Sequence, residues 1–346
     1  MMKLLFLLFL SFLMVMPVSA VDIAPPQVPE AGSKLMPGNR ETFLDGLTEM
    51  VMDLLPLIRP DIAEAVKICA GIIASVLFVS VLQTASDGIK RISELSGILC
   101  IAVLVLRSTH SLIRLGSETI QELTEYEKLL LPVLTSAVAA QGGISTATAL
   151  YTGTALFNML LSSILSNFLL PLIYLFQVLS ICGNAFEEQM LGRIKDSFKK
   201  AVFWVIKTIL TIFTGFLGIT GVVSGTTDAA ALKMTRAAIS TVVPVVGKIM
   251  SDASEAVLIS AAMAKNAVGI YGIYAILAVF LGPFVRIGIH YIIFRLTAEI
   301  SFVIGTKRIS AFVEDTSTVM SLILAATGSM CLLLLISCIC FLKGVG

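Results

Sequence analysis

Two long apolar runs near the middle of the chain, residues 201–223 and 267–285, most limit what this sequence can fold into. Each is about as long as the roughly 20 residues that an α-helix needs to cross the hydrocarbon core of a bilayer. The segment between them carries too many charges to lie easily in lipid, and it is too rich in Ala, Val and Ile for a loop. Lys248, Asp252 and Glu255 recur there at helical spacing. The pattern predicts two membrane helices joined by an amphipathic connector.

The composition extends this prediction to the whole chain. Of its 346 residues, 57% are hydrophobic and only 14% are charged, and the mean hydropathy is +0.97. A soluble globular protein has about 25% charged residues. The sequence therefore predicts an all-α, polytopic integral membrane protein in contact with the lipid bilayer. The net charge of +1, without a basic tail or face, does not indicate a nucleic-acid partner.

Motifs for catalysis, cofactor binding or metal binding are not found in the sequence. It has no HExxH pair, no GxSxG elbow and no His-rich or Asp-rich cluster, and Gly247-Lys248 lacks the rest of a phosphate loop. The six cysteines lie within or at the ends of apolar runs, where a thiol behaves as a small hydrophobe. We expect no catalytic, cofactor or metal residues, and we expect that the protein is not an enzyme.

The chain divides into three predicted parts. Residues 1–20 have the short basic start, apolar stretch and small-residue end of a secretory signal peptide, with an uncleaved anchor as the alternative. Residues 21–67 are poor in Lys and Arg and are predicted to be an extracytoplasmic segment. Within it, Phe43, Leu47, Met50 and Leu54 have the spacing of an amphipathic helix. Residues 68–346 form the predicted polytopic membrane domain.

Hydropathy predicts about eight transmembrane helices, within a range of about six to eight. Residues 129–186 contain no charged residue and no histidine, which allows three short crossings, or one crossing plus re-entrant segments. Residues 112–128 are predicted to be an amphipathic helix lying on the bilayer or packed on a partner. The Lys- and Arg-containing segments 187–200 and 286–315 are predicted to be cytoplasmic.

Three groups of residues are candidates for a functional role. A row of glycines on one helix face would let another helix approach closely, either within the chain or between subunits. Polar residues within the predicted spans either line a water-filled path or reach the interface. Basic residues in a predicted cytoplasmic turn are suited to docking a soluble partner. The glycines are Gly215, Gly218, Gly221 and Gly225, the intramembrane polar residues are Lys207, Arg286 and His290, and the docking residues are Arg193, Lys195 and Lys199.

Several strings of this sequence resemble the stage III sporulation protein AE family of endospore-forming Firmicutes. The most specific is KNAVGIYG at residues 265–272, and LLLPVL at residues 129–134 followed by Gly142-Gly143 is also similar. The resemblance covers roughly residues 129–308. Further similar positions are residues 215–228, Leu232, Thr235, Pro244, Val245, Gly247, Pro283 and residues 291–296.

The resemblance implies a membrane protein made in the mother cell during sporulation and placed in the membrane around the engulfed forespore. Its implied partners are other membrane proteins of its operon, a separate secretion-type ATPase and, indirectly, a forespore membrane protein. Together they would form a secretion or feeding complex in which this chain is a scaffold or channel subunit. A self-sufficient secondary transporter for a small solute is the alternative. That function predicts paired interrupted helices, of which Gly282-Pro283 offers one.

Overall fold

The computed structural model of this protein describes residues 24–38, 43–85, 90–186, 189–242 and 246–343. Within these ranges the side chains of residues 85, 189, 218–261 and 264 are not described. The described residues form eight α-helices and one π-helical turn, without a β-strand. The helices are α1 (Glu30–Ser33), α2 (Phe43–Ala85), α3 (Lys90–Ala140), α4 (Ile144–Ile164), α5 (Leu170–Phe186), α6 (Gln189–Val242), α7 (Val246–Ile304) and α8 (Lys307–Lys343), and the π-helical turn at Leu165–Leu169 joins α4 to α5.

Six of these helical segments are long and apolar enough to cross a membrane. They are Phe43–Thr84, Lys90–Ala140, Ile144–Phe186, Met190–Leu217, Lys265–Ile304 and Lys307–Lys343. The predicted class, an all-α polytopic membrane protein, is confirmed. The described residues give six candidate spans, the lower end of the predicted range, and the number eight is not confirmed.

The difference in number arises because helices run through the expected breaks. Residues 129–186 provide the last part of α3 and one further candidate span that continues through the π-helical turn, where three crossings or re-entrant segments were expected. Between the two helices the chain reverses at residues 141–143, where Gly142 adopts a φ of 85°. The expected interruption at Gly282-Pro283 is also wrong, because α7 continues through Pro283. Neighbouring helices stabilise a proline inside a membrane helix by satisfying its freed backbone groups.

Helix α8 forms the centre of the fold. Its residues between Ile309 and Phe341 are mostly buried, and it packs against α3, α5, α6 and α7. Phe312, Met320 and Phe341 are fully buried in the main hydrophobic core. A helix that is apolar on most of its circumference is stable only when it is surrounded by other helices. This explains why the C-terminal helix lies inside the bundle.

One helix runs across the predicted boundary between the extracytoplasmic segment and the membrane domain. The predicted amphipathic helix begins at Phe43 as expected, and Met50 and Leu54 are buried on α7. This helix continues without a break to Ala85, so the predicted boundary at Lys67 lies inside α2. The predicted signal peptide, residues 1–20, lies outside the described residues.

The predicted surface helix at residues 112–128 is part of α3 and is packed within the chain. Leu112, Ile120 and Leu123 on one of its faces are buried in the main core. The expectation that its apolar face lies on the bilayer or on a partner is therefore wrong. Gly116 on this face lies so close to α8 that an added Cβ would stand 2.4 Å from Ile323 Cγ2. The opposite face of the same segment is exposed and polar.

Candidate functional site

A buried polar cluster joins four helices near one end of the bundle. Its centre is Asp315, in the third turn of α8, whose Oδ2 accepts a hydrogen bond from Ser180 Oγ at 2.6 Å and one from Asn184 Nδ2 at 2.8 Å. Lys195 of α6 donates its Nζ proton to the same oxygen and forms an ion pair with it. Lys195 is only 8% exposed, so the carboxylate compensates a charge that has little contact with solvent.

A second ion pair extends this cluster to α3. Arg308 Nη1 lies 2.8 Å from Glu94 Oε2, and both side chains are less than one-fifth exposed. The same guanidinium donates to the carbonyl oxygens of Asn184 at 3.2 Å and Ala185 at 2.8 Å, which lie in the last turn of α5. The last carbonyls of a helix lack intrahelical donors, so Arg308 satisfies groups that would otherwise be unpaired. The helix-end cluster, as we name Asp315, Lys195, Arg308, Glu94 and Asn184, therefore holds α3, α5, α6 and α8 together.

Arg286 and His290, which were candidates for intramembrane polar residues, have structural contacts. Arg286 Nε lies 3.0 Å from Asp61 Oδ1, and its Nη2 lies 3.8 Å from Glu64 Oε2. His290 is 1% exposed and donates from Nδ1 to the Arg286 carbonyl at 3.0 Å. The two side chains lie one turn apart on α7, and Arg286 ties this helix to α2.

Lys207 and the glycine row lie on α6. Lys207 is exposed beside Trp204, which is 69% exposed. Among the described residues, no atom lies within 4 Å of a Cβ added at Gly215, so this end of the row makes no close contact with the described part of the bundle. Gly218, Gly221 and Gly225 lie outside the residues whose side-chain surroundings are described. Whether the row forms an interface stays a prediction.

The three predicted docking residues have different surroundings. Arg193 and Lys199 are exposed and remain available to a partner. Lys195 is buried in the helix-end cluster and paired with Asp315, so the expectation of an exposed docking charge is wrong for it. All three lie in the first turns of α6. Residues at these positions point to different sides of the helix, and Lys195 is the one that points towards α5 and α8.

A polar cleft between α3 and α4 was not predicted. It has a volume of about 370 Å³ and borders the π-helical turn. Thr124 and Ser162 meet across it at 3.1 Å, and Asn167 Nδ2 donates to Ser163 Oγ at 3.3 Å. Other polar residues lining the cleft are Glu127, Lys128, Tyr151 and Ser166.

Glu127 is the most enclosed carboxylate of the cleft. It is 4% exposed, and the Asn158 side-chain amide faces it. Within the described part of the chain, neither amide atom of Asn158 has a partner at hydrogen-bond geometry. The described residues contain no group of three or more His, Cys, Asp or Glu side chains placed to hold a metal ion. The cleft therefore offers one carboxylate among hydroxyls, which is suited to hydrogen bonding.

Sequence reasoning missed Asp315 and Glu94 because each looks like an ordinary charge at the edge of an apolar run. Glu94 lies one turn after Lys90 and Arg91 in α3, and Asp315 lies two turns into α8, beside Glu314. The sequence does not specify that these residues meet Lys195 and Arg308. Glu127 was missed because it is one of several acidic residues in a segment expected on the surface.

The long apolar helices, the ionic cluster at their ends and the polar groups enclosed between them define a polytopic α-helical membrane protein. The chain belongs to the stage III sporulation protein AE family, whose model matches residues 33–344. This match confirms the family that the sequence resembles, extends it well beyond residues 129–308, and supports a role in sporulation.

One relative of this chain is the stage III sporulation protein AE of Bacillus subtilis (strain 168). The two sequences are 25% identical over 278 residues, which cover 78% of this chain and 69% of the relative. No solved structure matches this chain.

Proposed function

We propose that this protein is a membrane scaffold or channel subunit of a sporulation secretion complex that links mother cell and forespore and is needed for endospore development. The observation that carries the proposal is the family match over residues 33–344 of a chain with six membrane-length helices. A subunit of this kind needs a rigid helical body and exposed surfaces for its neighbours. The helix-end cluster supports the first requirement, and exposed Arg193 and Lys199 support the second.

We further propose where the protein acts and what it binds. Its place is the mother-cell-derived membrane around the forespore, with residues 187–200 and 286–315 on the mother-cell side. The proposed partners are other membrane proteins of the same operon, a separate secretion-type ATPase and, indirectly, a forespore membrane protein. The protein itself is proposed to lack enzymatic activity, so the energy for transport would come from the ATPase.

A partner-recovery experiment tests the docking part of this proposal. Reversing two exposed charges, Arg193→Glu with Lys199→Glu, is expected to reduce the partners recovered with the tagged protein from sporulating cells. Exposed charges contribute little to stability, so the variant should accumulate normally. Lys343→Glu, an exposed charge at the last residue of α8, is the matched control. Equal recovery with both variants would contradict docking through the start of α6.

A self-sufficient secondary transporter is the second candidate. The observation in its favour is the cleft containing Glu127, because buried carboxylates between membrane helices often belong to ion or proton pathways. Reconstitution of the purified chain in liposomes with a proton or sodium gradient separates the two functions. We expect no gradient-driven uptake of small solutes. If the purified chain takes up solute and Glu127→Gln abolishes this uptake, the transporter replaces the scaffold or channel subunit as the proposed function.

A further inference from the structure

The outer face of α3 is polar over most of its middle. Every exposed residue between Arg107 and Lys128 has a polar side chain, whereas Val103 before this segment is 74% exposed and Leu129 after it is 56% exposed. At about 1.5 Å per residue the segment is roughly 32 Å long, close to the thickness of the hydrocarbon core. We name the following residues the α3 polar stripe: Arg107, His110, Ser111, Arg114, Glu118, Gln121, Glu125 and Lys128.

The stripe cannot turn inward, because the other side of the helix is fixed in the core. Leu112, Ile120 and Leu123 are at most 2% exposed and belong to the main hydrophobic cluster. The side chains on the stripe project away from them. Arg114 is 72% exposed and Glu118 is 47% exposed, and their ion pair, at 2.7 Å, lies within the stripe itself. The stripe is therefore an outer surface of the single chain.

Contacts to neighbouring helices show what lies beside the stripe. His110 Nδ1 is 3.2 Å from the Tyr174 hydroxyl of α5, and Thr124 meets Ser162 of α4 at 3.1 Å. On another side, Gly116 contacts Ile323 of α8. On its α4 and α5 side the stripe thus runs alongside helices that carry no Asp, Glu, Lys, Arg or His, within residues 129–186, while α8 lies on the buried side of α3.

The outer surface of these neighbours is apolar. Met159 of α4 is 77% exposed, Phe168 in the π-helical turn is 59% exposed, and Leu175 of α5 is 44% exposed. Surfaces of this kind fit lipid. A row of Arg, Glu and Lys side chains directly facing lipid at the same level would be costly, and charged residues inside membranes face water or protein instead. At this level the stripe must therefore be covered by water or by another protein surface and not by lipid.

We propose that the α3 polar stripe lines a water-filled path across the membrane, and that further copies of this chain close its wall. This inference deepens the proposed channel function and rests on it. Copies inserted with the same orientation can form a closed assembly only around an axis perpendicular to the membrane. Each stripe residue then faces its own equivalent, so Arg114 approaches Arg114 and Glu125 approaches Glu125. Like charges oppose a dry contact, which favours a hydrated lumen.

The order of charges along the stripe indicates what such a path would admit. Arg107 and Arg114 form a positive end, Glu118 and Glu125 follow with negative charge, and Lys128 is positive again. Rings of charged side chains determine selectivity in pores, and rings of both signs do not select strongly for one sign. The class of solute that fits is therefore small and hydrophilic, with either charge.

Thiol labelling in membranes tests whether water reaches the stripe. The full chain, with its native cysteines replaced, carries a single cysteine at His110 or Gln121 in the stripe, or at Leu175 or Phe168 as controls near the same levels. A charged, membrane-impermeant thiol reagent reacts with thiolates, which form in water and not in lipid. Gln121→Cys is expected to react on the order of tenfold faster than Phe168→Cys, and His110→Cys similarly faster than Leu175→Cys. Gel filtration in detergent verifies that each variant is folded.

Two outcomes would overturn the water-filled path. Fast labelling at all four positions would show that this level of the protein lies outside the membrane. Slow labelling at Gln121 and His110, equal to that of the controls, would show that protein or lipid covers the stripe. Partner recovery from sporulating cells is a separate measurement. If no partners are recovered but the labelling is as expected, the proposed complex is rejected and the water-filled path is retained.

Cross-linking between copies tests the wall. Two differently tagged chains, both carrying Gln121→Cys, are expressed together and treated with a short bis-maleimide. We expect a cross-linked pair that contains both tags, and much less of it with Phe168→Cys. Labelling of Gln121→Cys by the aqueous reagent without any cross-linked pair would overturn the role of further copies.

Discussion

Replacing Asp315 by alanine should destabilise the bundle more than replacing any exposed charge near it. The substitution removes the only carboxylate that pairs with Lys195 among the described contacts and takes an acceptor from Ser180 and Asn184. Lys195 is 8% exposed, so its ammonium group would remain buried without a counter-charge. Breaking a buried pair in this way costs about 3–5 kcal/mol.

Arg295→Ala provides the matched control at the same end of the bundle. Arg295 lies 2.5 Å from Glu314, the neighbour of Asp315 in the chain, but the two side chains are 46% and 52% exposed. Exposed ion pairs contribute at most about 1 kcal/mol. The comparison therefore distinguishes the effect of breaking a buried ion pair, at Asp315, from the effect of breaking an exposed one, at Glu314, on adjacent residues of α8.

Thermal unfolding in detergent, followed with a thiol-reactive fluorophore, measures the effect. Cys331 and Cys338 are buried, whereas Cys100 is exposed and Cys69, Cys182 and Cys340 are half-buried, so the assay uses a background in which these four are replaced. Labelling of the two remaining thiols then reports the exposure of α8. We expect Asp315→Ala to lower the apparent melting temperature on the order of 10 °C, and Arg295→Ala by no more than about 3 °C. Adding Lys195→Met to Asp315→Ala should recover about 1–3 kcal/mol, because the unpaired charge is then removed.

Equal effects of Asp315→Ala and Arg295→Ala would refute this reasoning. Such a result would mean that water reaches Lys195 freely and that the helix-end cluster is not buried in solution. A double variant no more stable than Asp315→Ala alone would equally contradict the assignment of the cost to Lys195.

Three further predictions concern packing and topology. Gly116→Ala should cost about 1–3 kcal/mol by thermal unfolding, because its Cβ would clash with Ile323. Gly215→Ala should be neutral or slightly stabilising, since no atom of the described residues lies within 4 Å of the added Cβ, and equal effects of the two variants would argue against the α3–α8 packing. Arg286→Gln should lower the free energy of unfolding by about 1 kcal/mol, less than Asp315→Ala does, since Arg286 is 36% exposed. Adding Asp61→Asn to Arg286→Gln should cost little more, and additive losses would show that the two residues do not act as a pair. In intact cells, an impermeant thiol reagent should label Gln27→Cys and not Gln189→Cys, because of the distribution of Lys and Arg; the reverse pattern would invert the topology.

The sequence by itself determined the class of the fold. Apolar runs such as residues 201–223 can be stable in a bilayer only as helices, because no water is present there to satisfy the backbone. Local strings such as KNAVGIYG were specific enough to indicate the family. The amphipathic helix that begins at Phe43 was also evident, since its spacing depends only on helical periodicity.

Tertiary structure alone decided where helices end and which charges are buried. Residues 112–128 have the pattern of a surface helix, yet the core fixes their apolar face and leaves the polar one outside. Pro283 looks like a break, but helix packing carries α7 through it. Lys195 cannot be distinguished from Arg193 and Lys199 by its neighbours in the chain. Its burial depends on Asp315, more than a hundred residues away, and a pairing over that separation is set by the packing of whole helices.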